Sequence, residues 1–283
     1  MDIKKVGVVG GGTMGHGIAQ VAVQSGRDVV LVEVSDDKGR EAVGRVKSSL
    51  DRFVKRERLS AEDAEAALGR IETVTDLDAV AGCDAVIEAV FEDPALKQDV
   101  FRRLDSIVRP QALLASNTST IPIVLLGAAT THPERVVGMH FFNPVALMAL
   151  VEVIKAPAAA ESYIEAARAL AADLGKTPVL CNDVPGFVGN RLMVPFLIDV
   201  IRQYEMGIAS MEAIDEVIKL GFNHPMGPFA LCDLIGLDIV HDMAASMYEE
   251  TKEPRYYPTN LLKQKVRMGH LGRKTGRGFY TYD

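Results

Sequence analysis

The chain has 283 residues, enough for roughly two domains of average size. Hydrophobic residues make up 48% of it and charged residues 24%, the balance of a soluble globular protein, and no apolar run approaches the roughly 20 residues of a membrane-spanning helix. The net charge of −7 would repel duplex phosphates, so we expect no nucleic-acid partner, and without such an apolar run we expect no membrane partner.

The first predicted unit is a strand, a glycine-rich turn, a helix and a second strand. Residues 4–9 begin with two lysines and are then continuously apolar, as in a central parallel strand that is buried on both faces. Three glycines follow, and then apolar residues recur at helical spacing as far as Gly26, a candidate C-cap. Residues 29–34 have the pattern of a second strand. This order predicts a βαβ unit.

The segment from about residue 36 to residue 69 interrupts the alternation of strands and helices. It is rich in charge, its apolar positions recur at helical spacing, and Ser60 precedes an acidic first turn as an N-cap does. We therefore predict a helical hairpin inserted after the second strand. The alternation then resumes, which predicts a mostly parallel sheet with helices on both faces. The strands are expected near residues 71–74, 85–89, 113–115, 136–139, 150–154 and 177–180, and helices around residues 94–107 and 161–174.

A change of pattern near residue 185 predicts a domain boundary. Beyond it, apolar residues recur every three or four positions and strand signals nearly vanish. We predict an α/β domain of residues 1–185 and an all-α domain of residues 186–283. The second domain's helices are apolar on too many faces for a domain on its own, so a homodimer through this domain is expected. Those helices are expected at about residues 189–205, 211–220, 238–249 and 259–268.

The cysteines bear on location and on metal binding. Cys83, Cys181 and Cys232 lie far apart among apolar neighbours and form no CxxC pair. Buried free thiols are therefore expected, rather than a disulfide or a zinc site, and no metal is predicted. The first five residues lead directly into a strand pattern, with neither a signal-peptide core nor a transit segment. A cytoplasmic location is the expectation.

A glycine motif after the first strand predicts a dinucleotide site. Gly10, Gly12 and Gly15 satisfy GxGxxG, with Thr13 and Met14 in the variable positions. In this motif the first glycine allows a tight turn, the second allows close approach of a pyrophosphate, and the third allows close packing of helix on strand. The helix N-terminus adds free N–H groups for the phosphates. The alternatives are a glycine turn that binds nothing or one that binds another phosphate ligand.

Glu33 ends the second predicted strand, where it bears on the choice of cofactor. A carboxylate there can accept both hydroxyls of an adenosine ribose and would repel a 2′-phosphate. NAD is therefore predicted, with NADP as the less favoured cofactor. Arg40 follows closely and could relax the preference, and a solvated charge at a strand end is the alternative role for Glu33.

An enzyme that oxidises an alcohol with such a cofactor needs a group to take the hydroxyl proton, and histidine, with a pKa of roughly 6.5, suits this. Of the six histidines, His140 follows the predicted strand of residues 136–139, and ligands of open α/β sheets bind beyond the carboxyl ends of strands. Glu152 lies among apolar residues of the next strand, where a buried glutamate is costly unless it is paired. We predict a catalytic His140–Glu152 pair. A purely structural hydrogen bond between them is the alternative, and His224 is a second candidate histidine.

Seven stretches of the chain carry a resemblance to a known family. They are GGGTMGHGIAQ (residues 10–20), SNTST (116–120), HFFNP (140–144), LVEVI (150–154), DVPGFVGNR (183–191), PMGPF (225–229) and KTGRGFY (274–280). Together they resemble the 3-hydroxyacyl-CoA dehydrogenase family, most closely its short bacterial 3-hydroxybutyryl-CoA branch, over essentially the whole chain. The resemblance implies an NAD-binding Rossmann-type domain and an α-helical domain for substrate binding and dimerisation. It also implies hydride transfer that interconverts (S)-3-hydroxybutyryl-CoA, a short-chain 3-hydroxyacyl-CoA, and acetoacetyl-CoA.

The resemblance also implies roles for single residues. It places the catalytic pair on His140 and Glu152, in agreement with the choice made from the residues alone. It places the serine that holds the substrate's 3-oxygen on Ser119 and an asparagine near the thioester on Asn190. Ordinary turn chemistry and helix capping are the plainer roles for these two. Further cofactor contacts are implied at Glu92, Lys97, Asn117, Asn143 and Lys274.

For coenzyme A, the resemblance points to the inserted hairpin. The family's CoA-contacting serine and lysine fall on Ser49 and Arg56, where arginine keeps the charge but changes the geometry. Lys55 is the neighbouring alternative, and a solvated helix face is the plainer interpretation. Two other functions compete with the acyl-CoA activity: a related sugar-acid dehydrogenase of the crystallin-like branch, and a non-catalytic cofactor-binding protein.

Overall fold

The computed structural model describes residues 1–282, and these contain one eight-stranded sheet, all of it in the first of two units. Across the sheet the order is β3-β2-β1-β4-β5-β6-β7-β8. Neighbouring strands run parallel, apart from the antiparallel pair β6 and β7. The predicted mostly parallel sheet is confirmed. The strands are β1 (Lys5–Val9), β2 (Asp28–Val32), β3 (Ile71–Val74), β4 (Ala85–Glu88), β5 (Leu113–Ser116), β6 (Val136–Phe141), β7 (Leu150–Lys155) and β8 (Thr177–Asn182).

The central strands are buried along their whole length. Every residue of β4, β5 and β6 is buried, because helices cover both faces of a sheet of this type. The strand order reverses direction between β1 and β4, which are hydrogen-bonded neighbours. Ligands of open α/β sheets bind beyond the carboxyl ends of the strands at such a switch point. The carboxyl ends of β1, β4, β5 and β6 therefore define the edge where a site is expected.

Helices of the first unit include the predicted hairpin, which consists of α2 and α3. Side-chain caps define where both helices begin: Ser35 accepts a hydrogen bond from the amide of Lys38, and Ser60 accepts one from the amide of Asp63. One short helix, α5, was not predicted. The helices are α1 (Gly15–Gln24), α2 (Asp36–Lys55), α3 (Ala61–Leu68), α4 (Pro94–Ile107), α5 (Ile123–Gly127) and α6 (Glu161–Asp173).

The second unit begins at Pro185, one residue before the predicted boundary. It is helical, with its own apolar core around α7 and α10. Four of its helices were predicted and α9 was not. No helix within residues 1–282 has the length and apolar character that crossing a membrane requires. The helices are α7 (Gly189–Glu205), α8 (Met211–Gly221), α9 (Pro228–Ile235), α10 (Leu237–Thr251) and α11 (Asn260–Arg267).

One strand boundary corrects the sequence prediction. His140 does not follow β6; it lies inside it, as the fifth of six residues, because the ladder with β7 continues as far as Phe141 and Val151. The histidine is therefore held by strand pairing rather than by a loop.

Candidate active site

The glycine loop has the geometry of a phosphate cradle. Gly10 has a φ of +94°, and an added Cβ would lie 2.8 Å from the carbonyl oxygen of Ala89. At Gly15 an added Cβ would lie 1.7 Å from the carbonyl oxygen of Gly10, so the helix can pack on the loop only with glycine there. Gly12 is different, because a Cβ there would meet no described atom within 4 Å. Gly12 and Thr13 are exposed where α1 begins, with Met14 at the N-cap. The loop therefore leaves room for a pyrophosphate at the helix N-terminus.

Glu33 is fixed directly after β2, beside this loop. Its Oε1 accepts a hydrogen bond from the amide of Gly11 at 2.6 Å, and its Oε2 accepts one from the amide of Val34 at 3.0 Å. An ionised carboxylate has about four acceptor positions, so capacity remains for two ribose hydroxyls. The residues present fit an NAD ribose at this point.

His140 and Glu152 are directly opposite each other on β6 and β7. His140 is 5% exposed and Glu152 is 1% exposed. The distance between His140 Nδ1 and Glu152 Oε2 is 2.7 Å. An ionised carboxylate only accepts hydrogen bonds, so it fixes the proton on Nδ1 and leaves Nε2 as the basic nitrogen. The ring of Phe142 lies 4.7 Å from the histidine ring, centroid to centroid. The two residues are thus in hydrogen-bond contact, and their catalytic role stays a prediction.

Ser119 stands on the other side of the histidine ring. Its Oγ lies 3.1 Å from His140 Nε2, within hydrogen-bond distance. Asn117 joins the same loop to β6, because its Oδ1 accepts a hydrogen bond from the amide of Phe141 at 3.0 Å. The structure thus brings together Glu152, His140 and Ser119 through two successive side-chain contacts, one at each nitrogen of the histidine ring.

Glu92 accepts hydrogen bonds from the loop that carries Ser119. Its Oε1 accepts hydrogen bonds from Thr118 Oγ1 at 2.5 Å, from the Ser119 amide at 2.8 Å and from the Thr120 amide at 3.1 Å. Burial alone would raise the pKa of Glu92, but the Lys97 ammonium and these hydrogen bonds outweigh it and hold the pKa below its ordinary value. The Glu92 side chain is still 40% exposed, so it also borders solvent.

Lys97 is buried, although a cofactor contact was predicted for it. Its side chain is 1% exposed and its Nζ lies 2.6 Å from Oε1 of Glu88, a residue that the sequence prediction missed. The signal was available: Glu88 stands at the end of an apolar strand, as Glu152 stands within one, and a buried glutamate needs a partner. A direct contact of Lys97 with the cofactor stays a prediction.

Other predicted contacts of the first unit lie on the loop after β6 and on or just after α2. Asn143 is exposed on the loop that follows β6. On α2, Ser49 is buried, whereas Lys55 and Arg56 are exposed at the end of the helix. The two basic side chains are therefore open to a ligand, and Ser49 presents little of its surface. Their roles in coenzyme A binding stay predictions.

Two predicted site residues belong to the second unit. Asn190 is the second residue of α7 and is buried. Lys274 lies on a short 3-10 turn, where its Nζ is 2.6 Å from Oδ2 of Asp238. The functional roles of both residues stay predictions.

The cysteines are free and buried, as predicted. Burial raises the pKa of Cys83 to about 11 and that of Cys181 to about 12, and burial also raises the pKa of Cys232. All three are therefore thiols at neutral pH and not nucleophiles. Within residues 1–282 no cluster of three or more histidine, cysteine, aspartate or glutamate side chains could hold a metal ion.

The sheet, the glycine loop and the histidine–glutamate pair define a dinucleotide-dependent oxidoreductase. Residues 5–184 match the NAD binding domain of 3-hydroxyacyl-CoA dehydrogenase, and residues 186–282 match its C-terminal domain. The chain belongs to the 3-hydroxyacyl-CoA dehydrogenase family. NAD is its cofactor, as the glycine loop and Glu33 predict.

Relatives and solved structures agree over the full length. A probable 3-hydroxybutyryl-CoA dehydrogenase of Deinococcus radiodurans is 45% identical over 98% of this chain and 100% of that protein. The 3-hydroxybutyryl-CoA dehydrogenase of Mycobacterium tuberculosis strain H37Rv is 44% identical over 99% of each chain. The crystal structure of (S)-3-hydroxybutyryl-CoA dehydrogenase from Ralstonia eutropha covers 100% of both chains, with 45% identity and a TM-score of 0.96.

Proposed function

We propose that this chain interconverts (S)-3-hydroxybutyryl-CoA and acetoacetyl-CoA with NAD. The observation that carries the proposal is the pair of contacts made by the His140 ring. Its Nδ1 lies 2.7 Å from Glu152 Oε2, and its Nε2 lies 3.1 Å from Ser119 Oγ. Relatives that cover the whole chain bear the name of this activity, which supports the same substrate.

The chain's own residues supply proton transfer and orientation. The glycine loop and Glu33 would hold NAD⁺, which would supply the hydride acceptor for carbon 3 of the hydroxyacyl group. His140 Nε2 takes the proton of the 3-hydroxyl group, and Glu152 stabilises the imidazolium that results. Ser119 Oγ is within reach of the same oxygen and orients it. In the reductive direction, the protonated Nε2 donates to the carbonyl oxygen.

A paired assay tests the substrate. The purified protein is given acetoacetyl-CoA with NADH, and in parallel a free sugar acid with NAD⁺. We expect rapid NADH oxidation in the first reaction and none above background in the second. Turnover of the sugar acid alone would favour the crystallin-like branch. No turnover with either substrate, together with normal NADH binding, would favour a non-catalytic cofactor-binding protein.

The coenzyme A part of the substrate is assigned to the end of α2. Lys55 and Arg56 are exposed there and carry positive charge suited to the CoA phosphates, although Ser49 is buried. Replacing both basic residues with glutamine should raise the KM for acetoacetyl-CoA with little change in the KM for NADH. Lys47→Gln, an exposed lysine on the same helix, is the matched control.

A homodimer through the second unit and a cytoplasmic location complete the proposal. Val217, Leu220 and Phe222 are exposed on and beside α8, and exposed apolar groups of this size mark association surfaces. The free cysteines are typical of proteins in a reducing compartment.

A further inference from the structure

Glu88 is a fully buried carboxylate next to the proposed site, and neither the substrate nor the cofactor assignment uses it. It is 0% exposed at the end of β4. Its Oε1 accepts hydrogen bonds from Lys97 Nζ at 2.6 Å and from the Val90 amide at 2.7 Å. Its Oε2 accepts one from Ser116 Oγ at 2.7 Å. Such a charge remains buried only because it is paired and hydrogen-bonded.

Lys97 joins Glu88 to Glu92. An ammonium group has three N–H donors, and three acceptors lie within reach of this one: Glu88 Oε1 at 2.6 Å, the Val90 carbonyl oxygen at 3.3 Å and Glu92 Oε2 at 3.3 Å. The lysine therefore has acceptors enough within the protein itself. Buried ion pairs add little net stability, because desolvation cancels most of the attraction, so a role in fixing a geometry is the better explanation.

Both carboxylates hold the loop that carries Ser119. Glu92 accepts hydrogen bonds from the Ser119 and Thr120 amides, and Ser116 Oγ, itself bonded to Glu88, accepts one from the Thr118 amide at 3.1 Å. The loop is thus anchored at its start through Glu88 and at its middle through Glu92. Lys97 fixes the two anchors relative to each other.

We propose that Glu88 is a positioning residue for the dehydrogenase reaction, acting through Lys97 and Ser116 to keep Ser119 within reach of His140. The inference rests on the proposed function. Displacement of a reacting group by about 1 Å costs on the order of 100-fold in rate, so a group that fixes this loop has a large effect without touching substrate.

The test is a double-mutant cycle on acetoacetyl-CoA reduction. Glu88→Gln should lower kcat by about 10- to 100-fold and leave the dissociation constant of NADH within threefold. Glu88→Gln combined with Ser119→Ala should be no slower than Ser119→Ala alone, because both changes remove the same interaction. If the double variant lost kcat by the product of the two single losses, the proposal would be overturned. Weakened NADH binding with an unchanged kcat would also overturn it, because Glu88 and Lys97 would then act as a cofactor site.

A matched control separates positioning from loss of stability. Asp105 is paired with the buried Arg135 in the same unit, away from His140. Asp105→Asn should lower the melting temperature and leave kcat within twofold. If Glu88→Gln does not fold, Ser116→Ala removes only the hydroxyl between Glu88 and the loop, and it should lower kcat with the same non-additivity toward Ser119→Ala.

Hydrogen exchange keeps this test independent of the proposed activity. Amides 118–121 should exchange faster in Glu88→Gln, or in Ser116→Ala, than in the wild type, and Asp105→Asn should leave them unchanged. A wild type that does not reduce acetoacetyl-CoA contradicts the proposed function. Unchanged exchange of these amides contradicts the role of Glu88.

Discussion

At the scale of single residues, the chemistry is concentrated on His140. Its Nε2 is the basic nitrogen because Glu152 Oε2 accepts a hydrogen bond from Nδ1–H, with 2.7 Å between the two heavy atoms. His140→Gln should lower kcat by about 10²- to 10⁴-fold, the usual contribution of general acid–base catalysis, with NADH binding unchanged. Steady-state kinetics and NADH titration measure this. His132→Gln, at a half-buried histidine before β6, is the control and should be fully active. Near-normal turnover of the His140 variant would remove it from the mechanism.

Glu92 gives a second residue-scale prediction, for stability against pH. Its pKa is below the ordinary value in the folded protein, so its ionised form contributes stability above the unfolded pKa of about 4.3. That contribution is lost as the pH falls through the folded pKa. The difference in unfolding free energy between wild type and Glu92→Gln should therefore narrow below about pH 5. Urea denaturation at several pH values checks this. Glu65→Gln, at an exposed position on α3, is the control, and a constant difference for Glu92→Gln would contradict the assignment.

At the scale of elements, the glycine loop separates folding from binding. An added Cβ at Gly12 meets open space, so Gly12→Ala should keep its melting temperature. The methyl group should still obstruct the pyrophosphate and raise the NADH dissociation constant at least about tenfold, or about 1.4 kcal/mol. Gly44→Ala, at an exposed helical glycine with open space, should bind NADH normally. Normal NADH binding by Gly12→Ala would mean that the phosphates lie elsewhere.

Gly15 gives the opposite expectation for the same loop. A Cβ there would lie 1.7 Å from a backbone carbonyl oxygen that cannot move aside cheaply. Gly15→Ala should therefore lower the melting temperature by several degrees or prevent folding, which thermal denaturation measures. A stable Gly15→Ala variant would contradict the close packing of α1 on the loop.

Elements with clear local signals were predictable, and two helices without them were not. The hairpin α2–α3 could be found from helical spacing and a serine cap, since these signals are local. The five residues of α5 are too few to show a period, and α9 begins at Pro228, in a segment rich in glycine and proline and without a side-chain cap. The last two residues of β6 depend on pairing with β7, a partner that β6's own sequence does not contain.

The site divides in the same way. His140 and Glu152 were predictable because burial of a glutamate in a strand demands a partner. The same reasoning applies to Glu88 and was missed, because its partner Lys97 lies on a helix and has the sequence pattern of a solvated charge. The hydrogen-bond contact between Ser119 and His140 joins the loop after β5 to β6, 21 residues further along the chain. Only the folded sheet brings these two residues together.

At the scale of the whole molecule, exposed apolar side chains on and beside α8 predict association of two copies. Leu220 is 75% exposed on α8, with Val217 and Phe222 close to it in sequence. Leu220→Glu should convert the expected dimer to a monomer, because a charge buried in an apolar interface has no partner. Light scattering after size-exclusion chromatography measures the mass. Lys219→Glu, on the same helix, is the control. A wild type that is monomeric at all concentrations would contradict the proposed dimer.

Alkylation of the three buried thiols reports local opening of the folded structure. Only the thiolate form of a cysteine attacks an alkylating reagent, and burial keeps Cys83, Cys181 and Cys232 protonated and covered. Labelling therefore proceeds at the rate at which the surrounding structure opens. Two of the thiols lie in the first unit and one in the second. Mass spectrometry of alkylated peptides can thus time the loosening of each unit separately, in a crude extract and without an introduced probe.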